Sequence, residues 1–341
     1  MNEKCSCTNE CATMFNPYCK CGCSDCKCHD IKKMKVIFMG TPEFAVPILN
    51  TLIENTNVIR VVSQPDKEVG RKKEIKMTPI KELAMSHNIQ VYQPQNIKEE
   101  FKEIIDTKPD LIVTCAYGQI IPKEILECAV LGCINVHASL LPYLRGGAPI
   151  HKALIEGHAK TGITIMYMDE KMDTGDIISQ KEYVIKDSDN VEKLHEILSD
   201  IGSNLLLETL PSIASKTNNR TKQDDSLATY AWNIKREEEC LDFNKSAKEV
   251  FNKVRGLNSW PLANTLINGD EFKIIECTYE KKIVNEAGVI VEITKDYLAI
   301  SASDGIIYVT KIKPFGKKSM LVKDYLNGIK KEDLINKKVG E

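Results

Sequence analysis

The chain has 341 residues, a length that corresponds to roughly two domains, and its 43% hydrophobic and 28% charged residues are typical of a globular protein with a sizeable core. A formal net charge of −2 gives no overall electrostatic sign of nucleic-acid binding, which argues against a pure RNA-binding protein but allows an enzyme that contacts RNA locally. No apolar run approaches the ~18 residues of a membrane helix, and nothing at the N-terminus is typical of a secretory signal. We therefore expect a cytoplasmic protein with no membrane partner.

Cysteine is concentrated at the N-terminus: eight of the 13 cysteines lie in the first 28 residues, within a segment (1–33) that is poor in aliphatic side chains. Thiolates this closely spaced can chelate a thiophilic ion, and in a reducing compartment a metal is favoured over disulfides. We predict a cysteine-rich appendage that holds structural zinc and takes no part in catalysis, with a tail of no specific role as the alternative. The candidate ligands are Cys19, Cys21, Cys23, Cys26 and Cys28.

The folded chain is predicted to begin at Met34. The apolar run 35–39 is typical of a buried parallel strand, and Gly40, Thr41 and Pro42 after it suit the turn, the cap and the first position of a helix. This succession is that of nucleotide-binding α/β domains. The G-x-G-x-x-G fingerprint is absent, however, so a dinucleotide is not supported.

Strands and helices are predicted to alternate from here to residue 215. Such alternation indicates a Rossmann-like, mostly parallel sheet whose ligands bind at the carboxyl ends of the strands. The further strands are predicted at 58–62, 89–92, 110–114, through Asn135 and His137, and at 162–168. The helices are predicted at 78–87, 97–106, 148–157 and 189–215, the last with Asp189 as its cap.

A polar loop follows the second strand, between Ser63 and Pro79, and its second half contains four basic residues. A solvated surface loop explains this composition. The alternative is a loop that binds a phosphate backbone.

Asn135 and His137 are alternate residues, so a strand directs both side chains to the same side. The loop after them contains Pro142 and the pair Gly146 and Gly147. An amide that donates, beside an imidazole that donates or takes a proton, suits a reaction in which negative charge develops on oxygen. A strand end with a hydrogen-bonded histidine is the structural alternative.

The segment 169–177 is a turn rich in carboxylates that offers a partner for His137. Asp173 could orient the imidazole or relay its proton, provided that the turn folds back over the crevice. An Asp-x-Gly turn also occurs for purely structural reasons.

Residues 216–229 lack apolar periodicity and are predicted to link a catalytic domain (34–215) to a C-terminal domain (230–341). In the C-terminal domain a helix is predicted at 246–257. Five short strands are spaced as in a small, OB-like β-barrel, and they are predicted at 263–267, 272–278, 288–293, 297–301 and 306–312.

With these residues in place, residues 34 to about 335 resemble the methionyl-tRNA formyltransferase family. Four segments carry the resemblance by their order and spacing: FMGTPEFA at 38–45, the loop from QPD at 64 to TPIKEL at 78–83, NVHASLLP with RG at 135–146, and MDTGDI at 172–177. The C-terminal part agrees, with TYA at 229–231, VRGLNSWP at 254–261 and LVKDYLNG at 321–328.

The resemblance implies transfer of a formyl group from the co-substrate 10-formyltetrahydrofolate to the amino group of methionine on initiator tRNA. It implies a catalytic trio of Asn135, His137 and Asp173. The implied folate-binding residues are Ser139, Leu140, Leu141, Pro142, Gln119 and Ile120. The implied tRNA-binding residues are Arg71, Lys72 and Lys73, in a loop whose Glu68 and Glu74 depart from the family pattern. We expect no catalytic metal, because a formyl donor is already electrophilic. We also expect a monomer.

Two other functions stay open at this point. Another folate-dependent formyltransferase, acting on an amino sugar or a glycinamide nucleotide, would use the same trio, but such a small acceptor does not require the basic 64–79 loop or the C-terminal barrel. From a different class, the chain could be a non-catalytic RNA-binding or metal-binding module centred on the cysteine cluster. The intact Asn/His/Asp set argues against that module.

Overall fold

The structure is a computed structural model that describes residues 31–69 and 73–340, and it divides into two compact units. Unit 1 consists of the described residues up to Gly147 together with Gly162–Tyr183 and Glu196–Tyr230. Unit 2 consists of Ala148–Thr161, Val184–His195 and the described residues from Ala231 onwards. Residues 216–229, for which the sequence predicts a linker, lie in unit 1.

Unit 1 is built on a seven-stranded sheet with the strand order β5-β2-β1-β6-β7-β8-β9, and β3 and β4 form a separate two-stranded hairpin. The strands are β1 (Lys35–Gly40), β2 (Asn57–Val62), β3 (Lys67–Val69), β4 (Glu74–Lys76), β5 (Val91–Tyr92), β6 (Leu111–Cys115), β7 (Cys133–His137), β8 (Lys160–Tyr167) and β9 (Ile177–Val184). Parallel pairing joins β5 through β7, and β8 is antiparallel to β7. The predicted mostly parallel sheet is confirmed.

Apolar burial explains why these strands form. All five residues of β6 are buried, as are five of the six residues of β1, so both faces of the sheet centre are covered. The sequence does not predict β9, because its exposed and half-buried residues show none of the alternation that marks a half-buried strand. The hairpin of β3 and β4 lies inside the segment that the sequence predicts as a polar loop.

Among the described residues up to 215, the α-helices are α1 (Val46–Asn55), α2 (Pro79–Ser86), α3 (Lys102–Ile105), α4 (Lys123–Leu126), α5 (Pro149–Ile155) and α6 (Val191–Ala214). The predicted start of α2 is confirmed, because the Thr78 hydroxyl accepts the Lys81 N–H at 3.2 Å and Pro79 occupies the first helical position. The predicted cap of α6 is wrong by one residue. Asn190 Oδ1 accepts the Lys193 N–H, whereas the Asp189 carboxylate accepts the Lys186 N–H.

The predicted helix 97–106 is largely wrong, because α3 is a single turn. Residues 97–99 form a separate turn in which the Glu99 N–H donates to the Asn96 carbonyl. Ile97 is 1% exposed and donates its N–H to Gln119 Oε1 at 3.0 Å, so a partner outside the segment holds this turn. A local pattern of apolar residues carries no information about that partner.

Unit 2 contains an antiparallel sheet with the order β10-β11-β14-β13-β12, to which β15 is added beside β14. Its strands are β10 (Ala263–Ile267), β11 (Asp270–Lys281), β12 (Ile290–Ile293), β13 (Leu298–Ala302), β14 (Gly305–Pro314) and β15 (Met320–Leu321). Near the C-terminus, Val339 pairs with Ile267 on one edge strand and Lys338 pairs with Val289 beside the other. This segment links the two edges of the sheet in a barrel-like manner, and the predicted positions of the five strands are confirmed.

Two further helices, α7 (Ala247–Leu257) and α8 (Val322–Leu326), belong to unit 2. α7 begins at a capping box in which Ser246 accepts the Glu249 N–H and Glu249 reaches back to Ser246. α7 packs closely against α5, since a Cβ at Gly256 would lie 2.7 Å from Ile155 Cγ1. Across the part of the chain described by the structure, no helix is both long and apolar enough to cross a membrane.

A pair of half-buried histidines lies in unit 2. The rings of His151 and His195 are 5.9 Å apart in an edge-to-face arrangement, and His151 Nδ1 lies 2.8 Å from the Gly256 carbonyl oxygen. Burial, with a smaller contribution from His151, lowers the pKa of His195 from 6.5 to about 4. Folded unit 2 therefore holds His195 neutral at a pH where the unfolded chain binds a proton.

We predict that the stability of unit 2 falls as the pH falls from 6.5 towards 4, because only the unfolded state takes up the His195 proton in this window. Between pH 7.5 and pH 5 the free energy of unfolding should fall by about 2 kcal/mol for this one group. His195→Gln should remove that part of the pH dependence. Urea unfolding followed by tryptophan fluorescence measures it, because Trp232 and Trp260, the two tryptophans, both lie in unit 2.

His87→Gln is the matched control, because His87 is exposed on unit 1 and its loss should leave the pH dependence unchanged. If His195→Gln shows the same fall in stability as the parent protein, the assignment is wrong.

Candidate functional site

The candidate site lies at the carboxyl ends of the parallel strands β1, β6 and β7, where α/β sheets bind ligands. The loops that follow β1 and β6 are joined there. The Thr41 hydroxyl donates to the Tyr117 carbonyl at 2.9 Å and accepts the Gln64 N–H at 3.3 Å. Thr41 is therefore not the helix cap that the sequence predicts. Its side chain instead joins the loops of Gln64 and Tyr117 at the edge of the site.

Asn135 is a half-buried residue of β7, directly opposite Thr114 of β6. The Thr114 hydroxyl lies 2.9 Å from Asn135 Oδ1, so the hydroxyl can donate to the amide oxygen. In this arrangement the NH2 end of the amide is turned away from Thr114, whose hydroxyl also lies 3.2 Å from the Ile134 carbonyl oxygen. Among the residues that the structure describes, nothing accepts from the Asn135 NH2 group, which leaves it free to donate to a ligand oxygen. No sequence pattern marks Thr114, because only the register of β6 and β7 brings the two side chains together.

His137 is 5% exposed at the end of the same strand. Its Nε2 lies 3.1 Å from the Leu144 carbonyl oxygen and its Nδ1 lies 3.7 Å from Asp173 Oδ1. A carbonyl oxygen can only accept, so Nε2 carries the hydrogen and Nδ1 of the neutral ring carries the lone pair. The structure thus brings His137 and Asp173 together, with Nδ1 as the nitrogen that can gain a proton.

Asp173 lies in the loop between β8 and β9, and its backbone has a φ of 54°. The Gly146 N–H donates to Asp173 Oδ2 at 2.8 Å, which leaves Oδ1 on the side of His137. Gly175 completes the turn, because a Cβ there would lie 1.9 Å from the Tyr167 carbonyl oxygen. The predicted fold-back of this turn towards His137 is therefore present.

The segment predicted to bind folate is held largely by internal hydrogen bonds. Ser139 is fully buried and donates its hydroxyl to the Tyr143 carbonyl at 2.6 Å, while the Leu141 N–H donates to Thr164 Oγ1. Leu140 and Pro142 are half-buried in the same loop. These contacts indicate that Ser139 and Leu141 shape the loop, and that a ligand would meet its backbone and its less buried side chains.

The loop after β6 holds the other two residues predicted to bind folate. Gln119 is half-buried: its Oε1 accepts the Ile97 N–H, and its Nε2 lies 3.3 Å from Gln64 Oε1. Ile120 is 70% exposed. Gln119 is thus held by hydrogen bonds to neighbouring loops, whereas the apolar side chain of Ile120 is open to a ligand.

Of the residues predicted to bind tRNA, Arg71 and Lys72 lie outside the described residues. Lys73 is exposed and its Nζ lies 3.4 Å from Glu68 in the hairpin of β3 and β4. An exposed pair of this kind is weak and leaves the lysine available to a phosphate.

Two polar contacts close the base of this hairpin. Ser63 and Thr78 share a hydrogen bond of 2.8 Å between their hydroxyls, and Lys81 Nζ lies 2.5 Å from Asp66 Oδ2. Hydrogen bonds from Gln93 and Lys81 hold the pKa of Asp66 below its ordinary value. The hairpin is therefore anchored to β2, α2 and the segment after β5.

The cysteines predicted to bind zinc, from Cys19 to Cys28, also lie outside the described residues. Within the described ranges, no group of three or more His, Cys, Asp or Glu side chains is placed to hold a metal ion. The zinc site stays a prediction.

The comparisons with known proteins agree along the chain. A family model described as formyl transferase matches residues 32–210, and one described as formyl transferase, C-terminal domain, matches residues 233–330. A methionyl-tRNA formyltransferase of Staphylococcus epidermidis is 49% identical over 306 residues, which cover 89% of this chain and 98% of that protein. A methionyl-tRNA formyltransferase of Bacillus subtilis is 48% identical over 302 residues, which cover 86% and 94%.

Among solved structures, an N-formyltransferase from Helicobacter canadensis in complex with folinic acid and dTDP-3-aminofucose is similar, with a TM-score of 0.61. The match covers 83% of this chain and 100% of that one at 21% identity. At this level of identity the likeness shows a shared fold.

The anchoring of the hairpin yields a prediction that needs no substrate. Lys81→Met removes one partner of the Asp66 carboxylate, so the hairpin base should open more often and trypsin should cleave after Lys67, Lys73 or Lys76 several-fold faster. Limited proteolysis followed by mass spectrometry measures the rate at each bond. Lys123→Met is the matched control, because the ion pairs of Lys123 are exposed. Equal cleavage of the hairpin in the Lys81→Met and Lys123→Met variants would contradict the anchor.

Proposed function

Because the chain belongs to the formyl transferase family, we propose that it transfers the formyl group of 10-formyltetrahydrofolate to the free amino group of initiator methionyl-tRNA. The observation that carries this proposal is the agreement of whole chains: relatives named methionyl-tRNA formyltransferase match it at 48–49% identity and across nearly their full length. The convergence of Asn135, His137 and Asp173 supports it, since it supplies the groups that such a transfer needs.

The acceptor distinguishes this proposal from its nearest alternative, a formyltransferase for an amino sugar. The N-formyltransferase from Helicobacter canadensis, in complex with dTDP-3-aminofucose, has a similar fold over 83% of this chain, so the fold by itself does not choose the acceptor. The choice rests on the much higher identity to the relatives named for methionyl-tRNA. It is also supported by the anchored hairpin, whose exposed Lys73 suits the phosphates of an acceptor stem, and by the basic residues Arg71 and Lys72 that the sequence places just before Lys73.

In the proposed mechanism the neutral amine of the methionyl group attacks the formyl carbon, and the formyl oxygen gains negative charge. The Asn135 NH2 group donates to this oxygen. Its orientation is set in advance by the Thr114 hydroxyl on Oδ1, so little reorganisation is required as the charge develops. The Ser139–Pro142 loop and the loop with Gln119 and Ile120 would hold the folate that carries the formyl group.

The attacking nitrogen must lose a proton as the tetrahedral intermediate breaks down. His137 Nδ1 is the acceptor in our proposal, because Nε2 donates to the Leu144 carbonyl and Nδ1 has the lone pair. The Asp173 carboxylate, 3.7 Å from Nδ1, stabilises the imidazolium that results. The proton then passes to the nitrogen of tetrahydrofolate as that group leaves, which regenerates the neutral ring.

Three sequence-based expectations stay predictions: the zinc-binding appendage, a monomeric state and a cytoplasmic location. The proposed chemistry requires none of them.

The acceptor is tested by incubating the protein with 10-formyltetrahydrofolate and equal concentrations of charged initiator tRNA and dTDP-3-aminofucose. We expect formylmethionyl-tRNA to dominate the products, as measured by mass spectrometry. Arg71→Ala should raise the KM for tRNA several-fold and leave kcat nearly unchanged, since a phosphate contact contributes mainly to binding. Lys98→Ala, which removes an exposed charge elsewhere in unit 1, is the control. A formylated sugar as the main product would favour the alternative.

Asn135→Ala tests the proposed oxygen donor. Losing such a donor should lower kcat by about 10²–10³-fold while folate still binds and the protein still folds. Thr114→Val should lower kcat by a smaller factor, and Thr114→Ser, which keeps the hydroxyl, should restore it. Single-turnover formylation and a folate-binding titration give the two quantities. Normal folate binding with near-normal turnover in Asn135→Ala would refute the assignment.

A further inference from the structure

A buried glutamine links the two loops of the candidate site. Gln223 is 6% exposed and forms four hydrogen bonds with its side-chain amide. Its Nε2 donates to the carbonyl oxygens of Asp173 at 2.9 Å and of Gly175 at 2.8 Å. Its Oε1 accepts from Arg145 Nε at 3.1 Å and from Arg145 Nη2 at 2.8 Å. One amide group therefore joins the loop of Asp173 to the residue that precedes Gly146.

The Asp173 loop needs such a partner because of the strand directions. β8 is antiparallel to β7, so Tyr167 at the end of β8 lies opposite Ile134, at the start of β7. His137 lies at the other end of β7, three residues or about 10 Å further along the strand. The two ends of the loop lie side by side, since the Tyr167 N–H donates to the Asp176 carbonyl. The chain thus runs out to His137 and back, and Asp173 at its far point has no strand neighbour.

The local backbone alone does not favour the position of Asp173 at the far point of this loop. Asp173 has a φ of 54°, a left-handed conformation that costs energy for a residue with a Cβ. Its carbonyl oxygen accepts from Gln223 and its Oδ2 accepts from Gly146, so both contacts come from outside the loop. Gln223 is in turn fixed by Arg145, which is 2% exposed and also pairs with Asp225 at 2.7 Å.

We propose that Gln223 is a positioning residue for formyl transfer, which holds the Asp173 carboxylate beside His137 through the Asp173 and Gly175 carbonyls. The proposal rests on the function proposed above. Gln223 touches no reacting atom in it, and its effect passes through the placement of Asp173. The amide is required because the site has two acceptors on one side and a guanidinium on the other, and a single side chain must donate twice and accept twice.

Gln223→Glu is the informative variant. A glutamate keeps the acceptor for Arg145, and so the contact that supports folding, but it has no N–H for the two carbonyls. We expect kcat to fall by about 10- to 100-fold, the effect of a misplacement of the order of 1 Å. The KM values for the folate and for methionyl-tRNA should stay within about twofold, because neither binding surface is altered. Lys222→Ala, an exposed neighbour in the same segment, is the matched control and should behave as the parent.

A second measurement separates positioning from a general loss of structure. In an Asp173→Ala background the carboxylate to be placed is gone, so Gln223→Glu should have less than about a threefold further effect on kcat. If Gln223→Glu lowers kcat in the Asp173→Ala background by as large a factor as it does in the parent, Gln223 has a structural role and the proposal is overturned. A Gln223→Glu variant whose kcat equals that of the parent overturns it as well. Gln223→Met, which keeps the length without either polar group, repeats the test if the glutamate variant does not fold, and failure of both variants to fold also overturns it.

A readout without turnover distinguishes this proposal from the proposed function. Hydrogen–deuterium exchange of the peptide that contains Gly146 should accelerate in Gln223→Glu, because the Gly146 N–H is protected by Asp173 Oδ2 only when the loop is in place. Unchanged exchange overturns the positioning role even if the parent formylates methionyl-tRNA. A parent that does not formylate methionyl-tRNA, with accelerated exchange in the variant, refutes the substrate and leaves the role of Gln223 intact.

Discussion

The candidate site depends on one constraint: the carboxylate of Asp173 must reach His137 from a loop whose flanking strands do not lead there. The constraint is met by contacts from outside the loop. Gly146 binds Oδ2, Gln223 binds the backbone carbonyl, and the absence of a Cβ at Gly175 lets the turn approach Tyr167. Because Oδ2 and the carbonyl are used in this way, Oδ1 is the atom left for the imidazole.

The sheet positions Asn135 and His137, the other two residues of the site, without contacts of this kind from outside the strand. β7 is a buried strand with parallel pairing to β6, so its direction and register are fixed by the core rather than by the loops. Asn135 and His137 are two residues apart on it and therefore share a face. The same register places Thr114 of β6 beside Asn135, so that the Thr114 hydroxyl can donate to the Asn135 amide oxygen. Rigid strands thus hold the amide and the imidazole, and a clamped loop brings the carboxylate.

The sequence predicts those parts that local patterns determine. The predicted bounds of the buried strands of unit 1 agree with the observed ones to within a residue or two, because continuous apolar runs leave few alternatives, and the predicted strand 263–267 has its observed bounds. The spacing of Asn135 and His137 is enough to predict that their side chains share one side of a strand. What failed depends on partners distant in the chain: the short α3, the edge strand β9, and Thr41, whose hydroxyl serves Tyr117 rather than a helix end. Gln223 lies 78 residues from Arg145 and in a polar segment without periodicity, so no local signal marks it.

In the proposed mechanism, the hydrogen bonds around His137 also divide the chemical roles within the trio. The Leu144 carbonyl accepts from Nε2, so the ring presents a lone pair at Nδ1 to the side where Asp173 lies. A proton that arrives at Nδ1 meets a carboxylate at 3.7 Å, too long for a strong hydrogen bond but close enough for a substantial electrostatic attraction in a buried site. In the proposed mechanism Asp173 would serve as a fixed negative charge beside the imidazolium, and it need not take up the proton. A backbone carbonyl and a clamped loop, neither of which belongs to the trio, would then give the histidine and the aspartate these separate tasks.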